Sequence, residues 1–121
     1  MIHAVRLVHM NLSVADPEAS AAFYRRVLLP HAASEWLGDS LHLRGASVDL
    51  AFQAGPPDEA APWHFGFLAP SSGAVDDVRT AVMHEGISLT DDTADAGLRS
   101  IKFRDPDGYE CEVYWEDRWA G

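Results

Sequence analysis

Two stretches of the sequence, Val48-Asp49-Leu50-Ala51-Phe52 and Cys111-Glu112-Val113-Tyr114-Trp115, share one order of residue types. Each has an acidic residue between two apolar residues, then a variable position, then an aromatic residue, an alternation typical of a strand with one buried face. Two other stretches, residues 7–12 and 62–67, each place a histidine (His9 and His64) in a strand-like pattern. The sequence therefore contains one unit twice, and this repeat predicts the fold more strongly than any single propensity.

The elements of the first copy follow from local signals. We predict a strand over residues 5–14, then a helix capped by Asp16, with Pro17 in its first turn and its end near residue 28. Apolar residues at Ala19, Phe23 and Val27 mark the face expected to be buried. Three strands are predicted to follow, near residues 31–37, 40–44 and 47–53.

The second copy repeats this order after the short Pro-rich stretch at residues 55–62. We predict a strand over 63–70, a helix over 72–85 with Val75, Val78 and Val82 on its apolar face, and Gly86 just beyond its end. Strands near 87–90, 98–103 and 109–116 complete the copy. One loop is expected to carry three exposed acids: Asp91, Asp92 and Asp95.

The predicted fold is α+β: two βαβββ modules, about residues 1–55 and 60–121, form a curved mixed sheet with the helices outside. A chain of 121 residues is the size of one domain, so both modules are assigned to a single domain over 1–121.

Composition narrows the class of partner. Nine Lys and Arg against 19 Asp and Glu give a formal net charge of −10, which disfavours binding to nucleic acid or to anionic membranes. No apolar run approaches the length of a membrane span, and the N-terminus lacks the pattern of a signal peptide. Only Cys111 is present, so an intrachain disulfide is excluded. We therefore expect a cytoplasmic protein.

Strand alternation places His9, His64, Asp49 and Glu112 on the face opposite the helices. Four ionisable groups on a half-buried face are costly without compensation. A divalent cation would compensate them, because imidazole nitrogens and carboxylate oxygens both bind such ions. A metal-free cup that binds an organic ligand directly is the alternative. We expect Cys111 to face the helices, and four histidines to be exposed: His3, His31, His42 and His84.

Three motifs resemble the vicinal oxygen chelate superfamily, which includes glyoxalase I, fosfomycin-resistance proteins, extradiol dioxygenases and bleomycin-resistance proteins. The first is His9-Met10-Asn11-Leu12-Ser13-Val14-Ala15-Asp16 with Phe23-Tyr24 after it, and the second is Trp63-His64-Phe65-Gly66-Phe67. The third is Phe103-Arg104-Asp105-Pro106-Asp107-Gly108-Tyr109-Glu110-Cys111-Glu112-Val113. They follow one another in the family's order over nearly the whole chain.

The resemblance implies metal ligands at His9, His64 and Glu112, with Asp49 as a fourth ligand in glyoxalase-type members. The metal would be Zn, Ni, Co, Fe or Mn. Glyoxalases usually have Glu where this chain has Asp49, so Asp49 is either a ligand, directly or through water, or a base. Other departures affect the substrate: Ser13 replaces an Arg of glyoxalase I, Asn11 a Thr of fosfomycin enzymes, and Lys102 a Tyr of extradiol dioxygenases.

Our leading hypothesis is a metal-dependent, glyoxalase-like lyase or isomerase that binds a small-molecule substrate through two adjacent oxygens. Glu112 or Asp49 would act as catalytic proton shuttle, and Asn11 and Tyr114 would orient the substrate. The first alternative is a metal-free antibiotic-binding protein of the bleomycin-resistance type, and the second is a scaffold for another protein. The resemblance also implies a homodimer, with sites at the module junction.

Overall fold

A computed structural model describes residues 1–58 and 61–119 of the chain. The chain divides into two compact units, Met1–Pro57 and Asp58–Gly121, whose bounds lie near those predicted for the two modules. That both modules form a single domain stays a prediction.

The first unit has one helix and four strands. In chain order they are β1 (His9–Val14), α1 (Pro17–Val27), β2 (Ala33–Leu37), β3 (Ser40–Arg44) and β4 (Asp49–Ala54). The sheet order is β1-β4-β3-β2. Strand β1 runs parallel to β4, and the other neighbours are antiparallel.

The second unit repeats this arrangement. Its elements are β5 (His64–Leu68), α2 (Ser72–His84), β6 (Leu89–Asp95), β7 (Leu98–Arg104) and β8 (Glu110–Glu116), followed by a short 3₁₀ helix, Asp117–Trp119. The sheet order is β5-β8-β7-β6, with β5 parallel to β8. The predicted α+β class with two βαβββ modules is confirmed. Hydrogen bonding divides the strands between two four-stranded mixed sheets.

Each helix begins at a residue that satisfies free backbone N–H groups. Asp16 accepts hydrogen bonds from the backbone of Glu18 and Ala19, and Ser71 accepts one from Ala74. Helix α1 packs on β3 and β4, and helix α2 packs on β7 and β8. The buried face of α1 differs from the prediction at one residue, because Ala19 is exposed. The residues that α1 buries include Ser20, Phe23, Tyr24 and Val27.

The face of each sheet that meets its helix forms the apolar core of its unit. Leu12, Leu50 and Phe52 are buried in the first unit, and Ile101, Cys111 and Val113 in the second. Burial raises the pKa of the Cys111 thiol well above its usual value, and the nearby Asp105 and Glu112 charges act in the same direction. As predicted, Cys111 is a buried apolar group in the second sheet.

Two predicted elements differ most from their predicted bounds, β1 and β6. Strand β1 begins at His9, because only from there does it pair in register with β4, and residues 1–8 are exposed. The predicted acidic loop is wrong: Asp91, Asp92 and Asp95 lie in β6. Asp92 receives hydrogen bonds from Arg79 of α2 and Arg99 of β7, which offset the charge that made this segment look like a loop.

Within residues 1–58 and 61–119, none of the helices is both long and apolar enough to cross a membrane.

Candidate metal and substrate site

A cluster of two imidazoles and one carboxylate lies on the first sheet. His42 Nδ1 is 2.8 Å from Asp49 Oδ1, and His9 Nδ1 is 3.4 Å from Asp49 Oδ2. The rings of His9 and His42 are stacked, with centroids 5.7 Å apart and planes 9° apart. Potential ligand atoms of all three residues lie within 4.8 Å of one another, so this group is able to hold a metal ion.

The carboxylate of Asp49 is held in its ionised form. Burial by itself would raise the pKa of Asp49, but the hydrogen bond and charge of His42, with the charges of Arg44 and His9, lower it below the usual value. Arg44 Nε lies 3.4 Å from Asp49 Oδ2. Asp49 is therefore an anionic group at neutral pH, as either a metal ligand or a base must be.

His42 corrects the sequence prediction, which placed it among the exposed histidines. Its side chain is only 13% exposed, whereas His3, His31 and His84 are exposed as predicted. His42 lies opposite Ala51 in the strand register and reaches diagonally to Asp49 past that small residue. The signal was present in Ser40-Leu41-His42-Leu43-Arg44, whose alternation puts His42 on the polar face beside the strand of Asp49.

A second histidine–carboxylate pair lies on the sheet of the second unit. His64 Nε2 is 3.2 Å from Glu112 Oε1, and the hydroxyl of Ser100 donates a hydrogen bond of 2.6 Å to Glu112 Oε2. The other ring nitrogen of His64 lies 3.9 Å from Glu110 Oε1. Ser100 and Glu110 were not predicted, and Ser100 fixes the orientation of the carboxylate beside His64.

The strand register gives the two pairs different geometry. His9 lies directly opposite Asp49, whereas His64 lies opposite Glu110, and Glu112 lies opposite Gly66. Because Gly66 has no side chain, the His64 ring reaches diagonally to Glu112. Both copies therefore place the histidine and the carboxylate on the same face of the sheet. In the second copy the carboxylate lies two residues beyond the position opposite the histidine.

The predicted substrate-binding residues lie on the same faces. Asn11 is exposed on β1, two residues beyond His9. Tyr114 lines an open cavity of about 580 Å³ in the second unit, and the remaining lining residues are Gly66, Asp91, Thr93, Leu98, Ser100, Lys102, Glu112 and Glu116. The four predicted ligands thus come together as two pairs, one in each unit, and the Glu112 pair borders a cavity large enough for a small molecule.

The donor chemistry fits a divalent transition metal. Imidazole nitrogens and carboxylate oxygens are suitable ligands for Zn, Fe, Co, Ni and Mn. His9 and Asp49 already lie within a few ångströms of each other, as do His64 and Glu112. Second partners also hold the carboxylates in position, His42 at Asp49 and Ser100 at Glu112, as is usual around metal ligands.

A family model described as Glyoxalase/Bleomycin resistance protein/Dioxygenase superfamily matches residues 6–113. This chain belongs to that superfamily. The matched range includes both histidine–carboxylate pairs, and the resemblance drawn from the three sequence motifs is confirmed.

Solved structures of the superfamily fold are similar to this chain over nearly its whole length. Oxidase ChaP-H1 is 25% identical with a TM-score of 0.77, covering 93% of this chain and 97% of its own. The fosfomycin resistance protein FosX from Listeria monocytogenes, complexed with Mn(II) and sulfate, is 17% identical, with a TM-score of 0.74 and coverages of 96% and 92%.

A lactoylglutathione lyase from Agrobacterium tumefaciens is 21% identical, with a TM-score of 0.72 and 98% of each chain covered. No curated protein matches the sequence. The superfamily therefore fixes the fold, while these structures differ among themselves in named activity.

Proposed function

We propose that this protein is a metal-dependent lyase or isomerase of the glyoxalase type, acting on a small molecule that carries two adjacent oxygen atoms. The observation that carries the proposal is the repeated histidine–carboxylate pair, His9 with Asp49 and His64 with Glu112. Both pairs lie on the sheet face opposite the helix of their unit, and each brings an imidazole nitrogen and a carboxylate oxygen, both suitable ligands of a divalent ion, close to each other.

The divalent ion would be held by His9, His64 and Glu112, with Asp49 as a fourth ligand. When bound, a divalent ion supplies Lewis acidity that polarises a substrate oxygen. The superfamily includes FosX, solved with Mn(II), and imidazole and carboxylate ligands suit Zn, Ni, Co, Fe and Mn.

The residues of the chain supply the proton transfer. Glu112 has one carboxylate oxygen bound to Ser100 and the other facing His64, so its position beside the cavity is fixed. It would remove a proton from the carbon next to a carbonyl and return it to the neighbouring carbon. Asp49, which His42 helps to keep ionised, is the alternative base for the same proton transfer.

Substrate orientation is assigned to Asn11 and Tyr114. The side-chain amide of Asn11 both donates and accepts hydrogen bonds, and it is exposed on the strand that carries His9. Tyr114 lines the cavity beside Glu112. Variants Asn11→Ala and Tyr114→Phe are expected to raise KM more than they lower kcat, as for groups that bind ground state and transition state alike.

A homodimer completes the proposal. The superfamily resemblance implies that two chains pair and that sites form at the junction of modules.

Metal content measured on untagged protein tests the proposal. We expect about one divalent ion per chain in wild type and loss of the ion in a His64→Ala, Glu112→Ala double variant. A matched control replaces an exposed histidine and an exposed acid, His31→Ala with Asp77→Ala, and should retain the ion. Wild-type protein that binds no ion, even after reconstitution, would overturn the metalloenzyme and favour a metal-free antibiotic-binding protein.

A further inference from the structure

The cavity beside Glu112 contains one positively charged side chain, Lys102, which is also the only lysine of the chain. Lys102 is partly buried on β7 and lies directly opposite Glu112 on β8. The neighbouring pair in the same register is Ser100 with Tyr114. Strand alternation puts all four side chains on one face, so Lys102 stands beside the proposed proton shuttle.

Lys102 has no ion-pair partner within the part of the chain that the structure describes. The chain carries 19 acidic residues, and other cations use them: Arg44 pairs with Glu35 and Asp49, and Arg99 pairs with Asp76 and Asp92. Even Glu112, directly across the strand, is hydrogen-bonded to Ser100 and His64 instead. The ammonium group of this partly buried lysine, which lines the cavity, is thus left available for a ligand.

We propose that Lys102 binds a carboxylate group of the substrate, so that the substrate is an anion that also carries the two adjacent oxygens. The inference rests on the proposed function and narrows its substrate class. A singly charged carboxylate suits the site better than a phosphate monoester, because one ammonium group faces three acids that line the same cavity: Asp91, Glu112 and Glu116. A second negative charge would add to the repulsion from these three acids, and Lys102 is the only cationic side chain among the residues that line the cavity.

Binding of two matched probes to the metal-loaded protein tests the inference. Acetohydroxamic acid presents two adjacent oxygens and no carboxylate, and succinic acid monohydroxamate presents the same oxygens with a carboxylate two carbons away. By isothermal titration calorimetry we expect the carboxylate probe to bind about ten-fold or more tightly than acetohydroxamic acid, the size of effect usual for a charge-assisted hydrogen bond.

Three variants assign that preference to Lys102. Lys102→Met should abolish it and leave the affinity for acetohydroxamic acid unchanged, while Lys102→Arg should retain most of it. Arg6→Met is the matched control, because it removes one positive charge from an exposed position elsewhere. Equal affinity for both probes in wild type, or a preference that survives in Lys102→Met, would overturn the inference and leave the proposed function standing.

A second readout uses the single lysine. Reductive methylation with ¹³C-formaldehyde keeps the charge of the ammonium and gives one lysine NMR signal, apart from that of the N-terminus. The carboxylate probe should shift this signal and acetohydroxamic acid should leave it in place. An unmoved signal at saturating carboxylate probe counts against Lys102, whereas failure of both probes to bind metal-loaded protein overturns the proposed function together with the inference.

Discussion

His42 shows how one side chain changes the description of the site. It positions Asp49 through a 2.8 Å hydrogen bond and contributes a ring nitrogen to the same cluster. Groups that hold a metal ligand in place commonly affect metal affinity by about 10- to 100-fold. His42 is therefore part of the candidate metal site, either as a ligand or as the group that positions Asp49.

We predict that His42→Ala weakens metal binding by about 10- to 100-fold, because the Asp49 carboxylate loses its hydrogen-bond donor. Competition against a metallochromic chelator measures the affinity. His31→Ala, which removes an exposed histidine, should bind the ion as wild type does. Wild-type affinity in His42→Ala would show that Asp49 needs no positioning.

The sequence identified the donors but not all their partners. His9, His64, Asp49 and Glu112 follow from the repeat and from strand alternation, which place like residues on like faces. His42 and Ser100 have no counterpart of the same type in the other copy, so comparison of the copies gives no signal for them. Their roles depend on strand register, which sequence patterns leave open.

At the scale of elements, Asp92 joins β6 to both α2 and β7. The hydrogen bonds from Arg79 and from Arg99 lower the pKa of Asp92 below its usual value. A carboxyl group whose pKa is lower in the folded state stabilises the fold above its unfolded pKa, and this contribution is lost as the pH falls through the folded value. The contribution is therefore complete at pH 7 and declines below about pH 4.

Asp92→Asn should lower the Tm at pH 7, and the difference from wild type should shrink as the pH is brought below about 4. Thermal unfolding followed by circular dichroism over this pH range measures both effects. Asp95→Asn, in the same strand and exposed, is the control and should leave the Tm nearly unchanged. A difference from wild type that is constant with pH would contradict the ion-pair explanation.

The turn that leads into β8 depends on Asp105. Its buried carboxylate accepts hydrogen bonds from the backbone N–H groups of Asp107 (2.9 Å) and Tyr109 (3.0 Å). Gly108 completes the turn with a φ of 92°, a conformation that glycine adopts without strain. This turn fixes the start of the strand that carries Glu112.

Asp105→Ala should destabilise the protein by about 1–3 kcal/mol, because two N–H groups lose their acceptor. Urea unfolding measures the free energy change. Asp105→Asn retains one acceptor oxygen and should lose less, so equal losses in the two variants would count against the hydrogen-bond explanation.

Element type was predictable and element ends were less so. The helix caps Asp16 and Ser71 and the glycine after α2 are local signals, and each helix begins or ends within a residue or two of the prediction. Strands β1 and β6 differ because pairing partners decide their ends. From the sequence alone, the three acids of β6 are typical of a loop. In the structure, two arginines from other elements pair with Asp92 of this strand.

At the scale of the whole molecule, the proposed homodimer gives a simple prediction. Sedimentation equilibrium of the untagged chain, 13.2 kDa, should give twice that mass at micromolar concentration. A monomer at every concentration would contradict the dimer and require each site to form within one chain. The metal content of that monomer would then test the site independently of assembly.

The two-residue offset between the copies has a consequence for the substitutions that such a strand tolerates. Side chains on a strand alternate between faces, so a substitution that moves a ligand by two positions keeps it on the same face, whereas a shift of one position buries it against the helix. The position of a metal-binding side chain can therefore change by two residues along a strand while the apolar core stays the same. The two copies show two such placements. Asp49 lies directly opposite His9, whereas Glu112 lies two residues beyond the position opposite His64.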